Sequence, residues 1–325
     1  MSTQQIVTAD IGGTHARFAL ADIDQGRVIT LHPELTLKCA DFASLQTAWE
    51  AFSAHIDAPL PRSAALALAC PIQGEVLQMT NNPWVIRPAL IGARLGVERY
   101  VLVNDFEAVG HAVASVGPEH LHPIGGPETP LPENGVISIV GPGTGLGVGC
   151  VLRRDGRTHV IATEGGHTDF APLDALEDRI LAELRKRHRR VSVERVVAGP
   201  GLLTIYEVLA GIEGRAVTFH DDKTLWAAAL SGEDSLASAA LDRFCLSLGA
   251  VAGDIALAQG GNAVVLAGGL GARLADRLPI SGFAQRFVAK GRFEGMMAKM
   301  PIRLITHSQP GLFGAAAAFA AQFIS

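Results

Sequence analysis

The apolar run Val101-Leu102-Val103 ends abruptly in Asn104-Asp105, and Phe106, Val109, Val113 and Val116 then recur at spacings of three and four. That pattern puts a carboxylate where a strand stops and a helix starts. In an open α/β sheet the carboxyl ends of strands are where ligands bind. Asp105 could equally do no more than cap the helix, since Asp and Asn are both favoured caps. Two further stretches, Asp10-Ile-Gly12-Gly13-Thr14 and Gly141-Pro-Gly143-Thr144-Gly145-Leu-Gly147, each place Gly-Thr in a turn between two apolar runs. Glycine lets backbone N–H groups converge on an oxyanion with no Cβ in the way, and such a nest binds phosphate. One loop of this kind is explained by an ordinary hairpin turn; two of the same chemistry favour a nucleotide held by both. Neither carries a Walker lysine and neither completes G-x-G-x-x-G, so the usual NTPase and dinucleotide readings fail.

Glu164-Gly-Gly-His167 has the i, i+3 spacing of a metal pair on a helix. The two glycines disfavour a helix, however, and no second cluster supplies further ligands, so a loop that grips a polar ligand is the better reading. Glu194 alone reads as a solvated helix carboxylate. The basic run Arg185 to Arg190 reads as a solvated helix end rather than a nucleic-acid contact.

The elements that must position these residues alternate. Strands are expected at Ile6–Ile11, Ala16–Ala21, Val28–Leu31, Ala64–Ala69, Tyr100–Val103, Val136–Val140, Val148–Leu152, Asn262–Ala267 and Arg303–Thr306. Helices are expected from Phe42 to Phe52, Arg87 to Leu95, after Asp105, from Ala175 to Arg187, Ser192 to Gly199, from Leu202, Leu225 to Leu230, Ala237 to Leu257, and Gly311 to Phe323. Met79–Trp84 reads as a polar turn, and the Pro- and Gly-rich stretch from Gly117 to Gly135 as a loop. This is an α/β chain. An internal repeat runs through it: Gly13-Thr14 is followed thirteen residues later by Gly26-Arg27, and Gly143-Thr144, again after thirteen, by Gly156-Arg157. Both copies read strand, Gly-Thr turn, strand, tight glycine turn, strand.

With 325 residues, 48% hydrophobic and 18% charged, the chain can build two cored domains. Its net charge of −5 argues against nucleic acid. Four scattered cysteines, Cys39, Cys70, Cys150 and Cys245, suit buried thiols of a reducing cytoplasm. The N-terminus lacks the basic and apolar regions of a signal peptide. The apolar stretch from Gly311 is too short to cross a bilayer, so no membrane partner is expected.

Taken together, Asp10-Ile-Gly-Gly-Thr, Asn104-Asp105-Phe-Glu-Ala, Gly-Pro-Gly-Thr-Gly-Leu-Gly, Glu164-Gly-Gly-His167-x-Asp-Phe-Ala-Pro and Glu194-x4-Gly-Pro-Gly resemble bacterial glucokinases, of the hexokinase–actin-like superfamily. The matches run in the family's order from residue 9 to about residue 314. The chain departs from the pattern at His15, where many relatives carry Asn, and lacks the Cys-rich zinc motif of the related repressor, open-reading-frame and kinase (ROK) group. The resemblance implies two actin-like, ribonuclease-H-like domains with mixed five-stranded sheets flanked by helices, closing over a cleft. Residues 1–108 with 308–325 would form the small domain and 109–307 the large one. It further implies transfer of the γ-phosphate of ATP, carried with Mg²⁺, to the 6-hydroxyl of glucose by a cytoplasmic homodimer. In that scheme Asp105 is the catalytic base, and Asn104, Asp105, Glu164, His167 and Glu194 hold the sugar. Asp10, Gly12, Gly13, Thr14, Gly143, Thr144 and Gly145 hold the phosphates, and Gly268 and Gly269 lie beside adenosine. No protein side chain is assigned to the metal directly. A kinase for another hexose and a non-catalytic sugar-responsive regulator are the alternatives on the same fold.

Overall fold

The computed structural model describes residues 3–79 and 81–324. The chain divides into two compact units, one comprising Met1–Gly117, Val160–Ala162 and His307–Ser325, the other Pro118–His159 and Thr163–Thr306.

The first unit is built on β1 (Gln4–Ile11), β2 (His15–Asp24), β3 (Arg27–Leu31), β4 (Leu35–Lys38), β5 (Ser63–Leu68) and β8 (Arg99–Asn104), in the order β3-β2-β1-β5-β8, with β4 also paired to β2. The sheet is mixed: β1 and β2 are antiparallel, while β1, β5 and β8 run parallel. Its strand count is six rather than the expected five, because β2 is long enough to carry two partners end to end. His15–Phe18 pairs with β4 and Ala21–Asp24 with β3. Parallel strands are covered on both faces, and here each face has its own core. Val7, Ala9, Ile11 and Phe18 pack with Trp49 and Phe52 of α1 (Leu45–His55). Ile6, Val101 and Val103 pack with Ala108 of the helix after Asn104 and with Ala315, Ala316 and Phe319 of the C-terminal helix, Pro310–Phe323. Phe42 lies outside α1, which Ser44 starts with a capping box to Thr47. A short helix, α2 (Ile91–Leu95), precedes β8. The turn at Met79–Trp84 includes Thr80, which lies outside the described residues; the flanking pairs β6 (Leu77–Gln78) and β7 (Val85–Ile86) form a small ribbon.

The second unit repeats the plan. Its sheet comprises β9 (Leu121–Gly125), β10 (Gly135–Pro142), β11 (Leu146–Arg154), β12 (Arg157–Thr163), β13 (Gly261–Leu266) and β14 (Ile302–Ile305), in the order β12-β11-β10-β13-β14-β9. β10, β13 and β14 are parallel and β10–β11 antiparallel, as in the first sheet. The repeat read from the sequence is therefore structural. Its two glycine turns even share a backbone conformation: Gln25 and Gly26 have φ of 48° and 75°, Asp155 and Gly156 of 52° and 74°. Such paired positive φ values belong to two-residue hairpin turns. The sixth strand here is β9, in the stretch expected to be a loop; its Pro123 is tolerated because β9 is an edge strand. The long helix Ser235–Gln259 is apolar enough to span a bilayer by composition, but 72% of its apolar window is buried inside the unit, as a core helix requires.

Candidate functional site

In the first unit the register brings the chemistry to one level. Ile11 pairs with Leu68 and Leu68 with Asn104, so β1, β5 and β8 end side by side. The Gly12–Thr14 loop and the Asn104–Asp105 junction thus leave the same edge of the sheet. α3 (Asp105–Ser115) begins there, and Asn104 is its cap: its side-chain oxygen accepts from the N–H of Phe106 at 2.9 Å and of Glu107 at 3.3 Å. Asn104 Nδ2 donates to Cys70 O at 3.2 Å. Asp105 is relieved of the capping role, although its Oδ1 also accepts from Phe106 N at 2.9 Å. Burial, and then the neighbouring charge of Asp10, push its pKa up to about 6. Asp10 is itself raised by burial, which outweighs the attraction of Arg17, whose Nη1 lies 3.4 Å from Asp10 Oδ2.

The Gly12–Thr14 loop is a three-residue hairpin closed by Gly12 N–H donating to His15 O at 2.9 Å. Thr14 is exposed at its tip. Its outer side is fixed by Asn82, buried to 4% exposure, whose Nδ2 donates to Gly12 O at 3.1 Å, and by Cys39 N–H, which donates to Thr14 O at 2.9 Å. Gly13 must be glycine here, for a Cβ would lie 2.8 Å from Asn81 Cβ.

The second unit carries the matching loop. Gly143–Gly145 joins β10 to β11, Gly143 N–H donates to Gly145 O at 2.8 Å, and Thr144 is exposed at the tip. Gly199 N–H donates to Gly143 O at 2.8 Å, and Trp226 Nε1–H donates to Gly199 O at 3.0 Å. Glu194 opens a four-residue helix, Glu194–Val197, shorter than the one expected from Ser192. Its Oε2 accepts from Leu146 N–H at 2.9 Å. Gly268, with φ of +80°, starts a helix close behind Pro142, where a Cβ would meet Pro142 O at 2.7 Å. Glu164 and His167 face each other across a single 3-10 turn, Oε2 to Nε2 3.8 Å, with both side chains exposed. A cavity of about 520 Å³ opens beside Thr144, lined by Glu194, Arg195, Pro200, Leu203 and Asp221 among others.

The structure therefore gathers Asp10, Gly12, Gly13, Thr14, Asn104 and Asp105 in one unit and Gly143, Thr144, Gly145, Glu164, His167 and Glu194 in the other. It adds residues that sequence reasoning missed. Asn82 sat in an evident turn, and only its burial marks it as a brace. Gly199 read as the end of a helix and the start of the Gly-Pro-Gly motif, with nothing to show that it binds the Gly143 carbonyl. Three residues of the basic run Arg185–Arg190 make ion pairs, Lys186 to Glu183, Arg187 to Glu207 and Arg190 to Asp169, each at 2.6 Å.

The family model described as glucokinase matches residues 7–322. The chain belongs to the glucokinase family. The glucokinase of Zymomonas mobilis subsp. mobilis is 60% identical over 319 residues, which cover 98% of each chain. That of Paramagnetospirillum magneticum is 38% identical over 97% of each. Among solved structures, the glucokinase of an Antarctic psychrotroph superposes with a TM-score of 0.86 at 34% identity, covering 97% of this chain and 98% of that one. The match covers nearly the whole of each chain, so both Gly-Thr loops, Asp105, Glu164 and Glu194 lie within it.

Proposed function

We propose that this glucokinase-family chain transfers the γ-phosphate of ATP to the 6-hydroxyl of glucose, with Asp105 as the base. The observation that carries the assignment is Asp105 itself. It stands at the carboxyl edge of three parallel strands beside the Gly12–Thr14 loop, its capping work is done by Asn104, and its pKa of about 6 leaves it ionised at neutral pH yet basic enough to accept a proton. In the transfer, the 6-oxygen forms a bond to the γ-phosphorus while the bond from that phosphorus to the bridging β-oxygen breaks. The hydroxyl proton passes to an Asp105 carboxylate oxygen, and ADP leaves with the bond's electrons.

Glu164 and His167 are suited to adjacent sugar hydroxyls: one accepts, the other can donate or accept, and the 3-10 turn fixes their separation. Glu194 is read as a further sugar contact. Asn104 has an amide hydrogen left beyond the one given to Cys70. A sugar lacking one of these hydroxyls would leave a polar group of the bound complex unpaired, which is the basis of selectivity. The two Gly-Thr loops offer N–H groups and a threonine hydroxyl each to the phosphates, and the cavity beside Thr144 is of a size to take the nucleoside. Mg²⁺, which favours phosphate oxygens plus one or two carboxylates, fits beside Asp10, a half-buried carboxylate paired among the described residues with Arg17 at 3.4 Å. Bound there it would neutralise charge on the phosphates. We also propose, on the family's pattern, a cytoplasmic homodimer.

The test is a coupled assay over a panel of hexoses with ATP, ADP and polyphosphate as donors. Glucose with ATP should give the highest kcat/KM; a clear preference for another hexose would move the assignment to that sugar.

A further inference from the structure

Leu146, the first residue of β11, is held from two directions. Its N–H is bound by Glu194 Oε2 at 2.9 Å, and its C=O is packed so closely by Gly166 that a Cβ at Gly166 would overlap it. The Glu164–His167 turn thus rests directly on the strand end that follows the Gly143–Gly145 loop. Gly165 makes the same kind of approach to Val148, where a Cβ would lie 2.8 Å from Cγ1. Glu194 also occupies the space beside the loop's last glycine: a Cβ on Gly145 would lie 2.6 Å from Glu194 Oε2. On the other side Gly199, five residues beyond Glu194, donates to Gly143 O. The segment Glu194–Gly199 therefore clasps the loop at both ends.

Leu146 needs this partner for a local reason. It pairs with Pro142 across the hairpin, and the glycine loop between them has too little side-chain bulk to hold a shape alone. Glycine loses more conformational freedom on ordering than any other residue, so an unbraced loop would have to be ordered by the nucleotide at the expense of affinity.

We propose that Glu194 is a positioning residue for the Gly143–Gly145 loop, holding its N–H groups in the arrangement that receives nucleotide phosphates. One carboxylate oxygen fixes Leu146 N–H, and the other remains for the sugar contact assigned above. The same side chain then links the two substrates: an acceptor that stiffens the loop before ATP arrives is also one that a sugar can orient. Glucose bound at the free oxygen holds the carboxylate in its loop-bracing rotamer, so the sugar raises nucleotide affinity. The inference rests on the reading of Gly143–Gly145 as a phosphate loop.

The experiment is calorimetric titration of the full chain with ADP and Mg²⁺, with and without glucose, for wild type, Glu194→Gln, Glu194→Met and Gly145→Val. Gln retains an acceptor oxygen for Leu146 N–H; Met keeps the reach and volume but offers no oxygen. In the absence of glucose Gln should bind ADP within about threefold of wild type, while Met should bind about tenfold or more weakly, the scale of one lost hydrogen bond to a charged group. Glucose should tighten ADP binding in wild type and have no effect in Met. Melting curves confirm that each variant is folded, and Glu194→Ala is read in the same way should Met fail that check. Wild-type ADP affinity in the Met variant overturns the inference, as does equal loss in Gln and Met, which would mean that charge rather than the acceptor is required. Wild-type ADP affinity in Gly145→Val would instead remove the phosphate-loop reading on which the inference stands.

Discussion

Asn104 and Asp105 share the amide of Phe106, each presenting an Oδ1 at 2.9 Å to that one N–H. They do not share the rest of the helix start. Asn104 also takes the N–H of Glu107, and Glu107 Oε2 returns the favour by accepting Asn104 N–H at 3.3 Å. This reciprocal pair closes the cap. Two adjacent residues that look interchangeable as caps thus have separate duties, and the carboxylate is the one left over.

Asp105→Asn distinguishes these duties. Asn has nearly the same shape and still accepts from Phe106, but it cannot take a proton at neutral pH. Turnover should fall about a hundredfold or more, the usual scale for positioned proton transfer, while glucose binding falls far less. Because the cap is untouched, the helix should remain. Steady-state assay and glucose titration check both halves; near-normal turnover would end the catalytic assignment.

The acid limb of kcat/KM for glucose should lie at about pH 6, where Asp105 takes up its proton, with activity dropping about tenfold per unit below it. The same shift has a stability consequence of definite sign. The folded-state pKa lies above the ordinary value of 3.8, so the native state holds this proton more tightly than the unfolded one. The stabilisation is full below pH 3.8 and is lost as pH rises through about 6. Asp105→Asn escapes that loss, so it should melt above wild type at pH 8, with the gap closing toward pH 4. Melting series at several pH values measure it; an advantage that grew on acidification would contradict the burial of this charge.

Glu164→Gln should raise the glucose KM strongly and leave the ATP KM almost unchanged, since Glu164 is exposed, faces His167 and supports no core contact. Equal weakening of both substrates would point to a disturbed fold rather than a sugar contact.

Gly314→Ala should destabilise the first unit severely. A Cβ there would overlap Ala108 O and press on Ala112 N, both backbone atoms of α3 that cannot rotate away. Overpacking of this kind costs about 1–3 kcal/mol or more. Gly295→Ala, with nothing within 4 Å, is the control and should melt like wild type.

What the sequence made legible was local. The strand–turn–strand repeats show because glycine at a positive φ and alternating apolar residues are written in consecutive positions, as at Gln25-Gly26 and Asp155-Gly156. The end of β8 at Asn104 shows for the same reason. What stayed hidden depends on partners far along the chain. Leu35–Lys38 becomes a strand only because the front half of β2, paired with β1 on one side, has an open edge on the other, and Leu121–Gly125 only because β14 offers an open edge. Glu194 read as a solvated carboxylate because its partner, Leu146 N–H, lies forty-eight residues upstream. Asn82 read as a turn residue because its acceptor, Gly12 O, is seventy residues away.

The C-terminal helix has a consequence for how the protein is made. Thr8 Oγ1–H donates to Leu312 O at 2.7 Å, Gly311 lies against the Asp10 carboxylate, and Gly314 against α3. The sheet that carries Asp10 and leads into Asp105 is thus covered by a segment translated after all of the second unit. On the ribosome the second unit can finish folding first, while the first, although synthesised earlier, keeps one apolar face of its sheet uncovered until Pro310–Phe323 emerges. A nascent chain stalled before that helix would hold both aspartates and no finished site. The interval between the two is a window in which a chaperone, rather than the chain's own helix, is the natural cover for Ile6, Val101 and Val103.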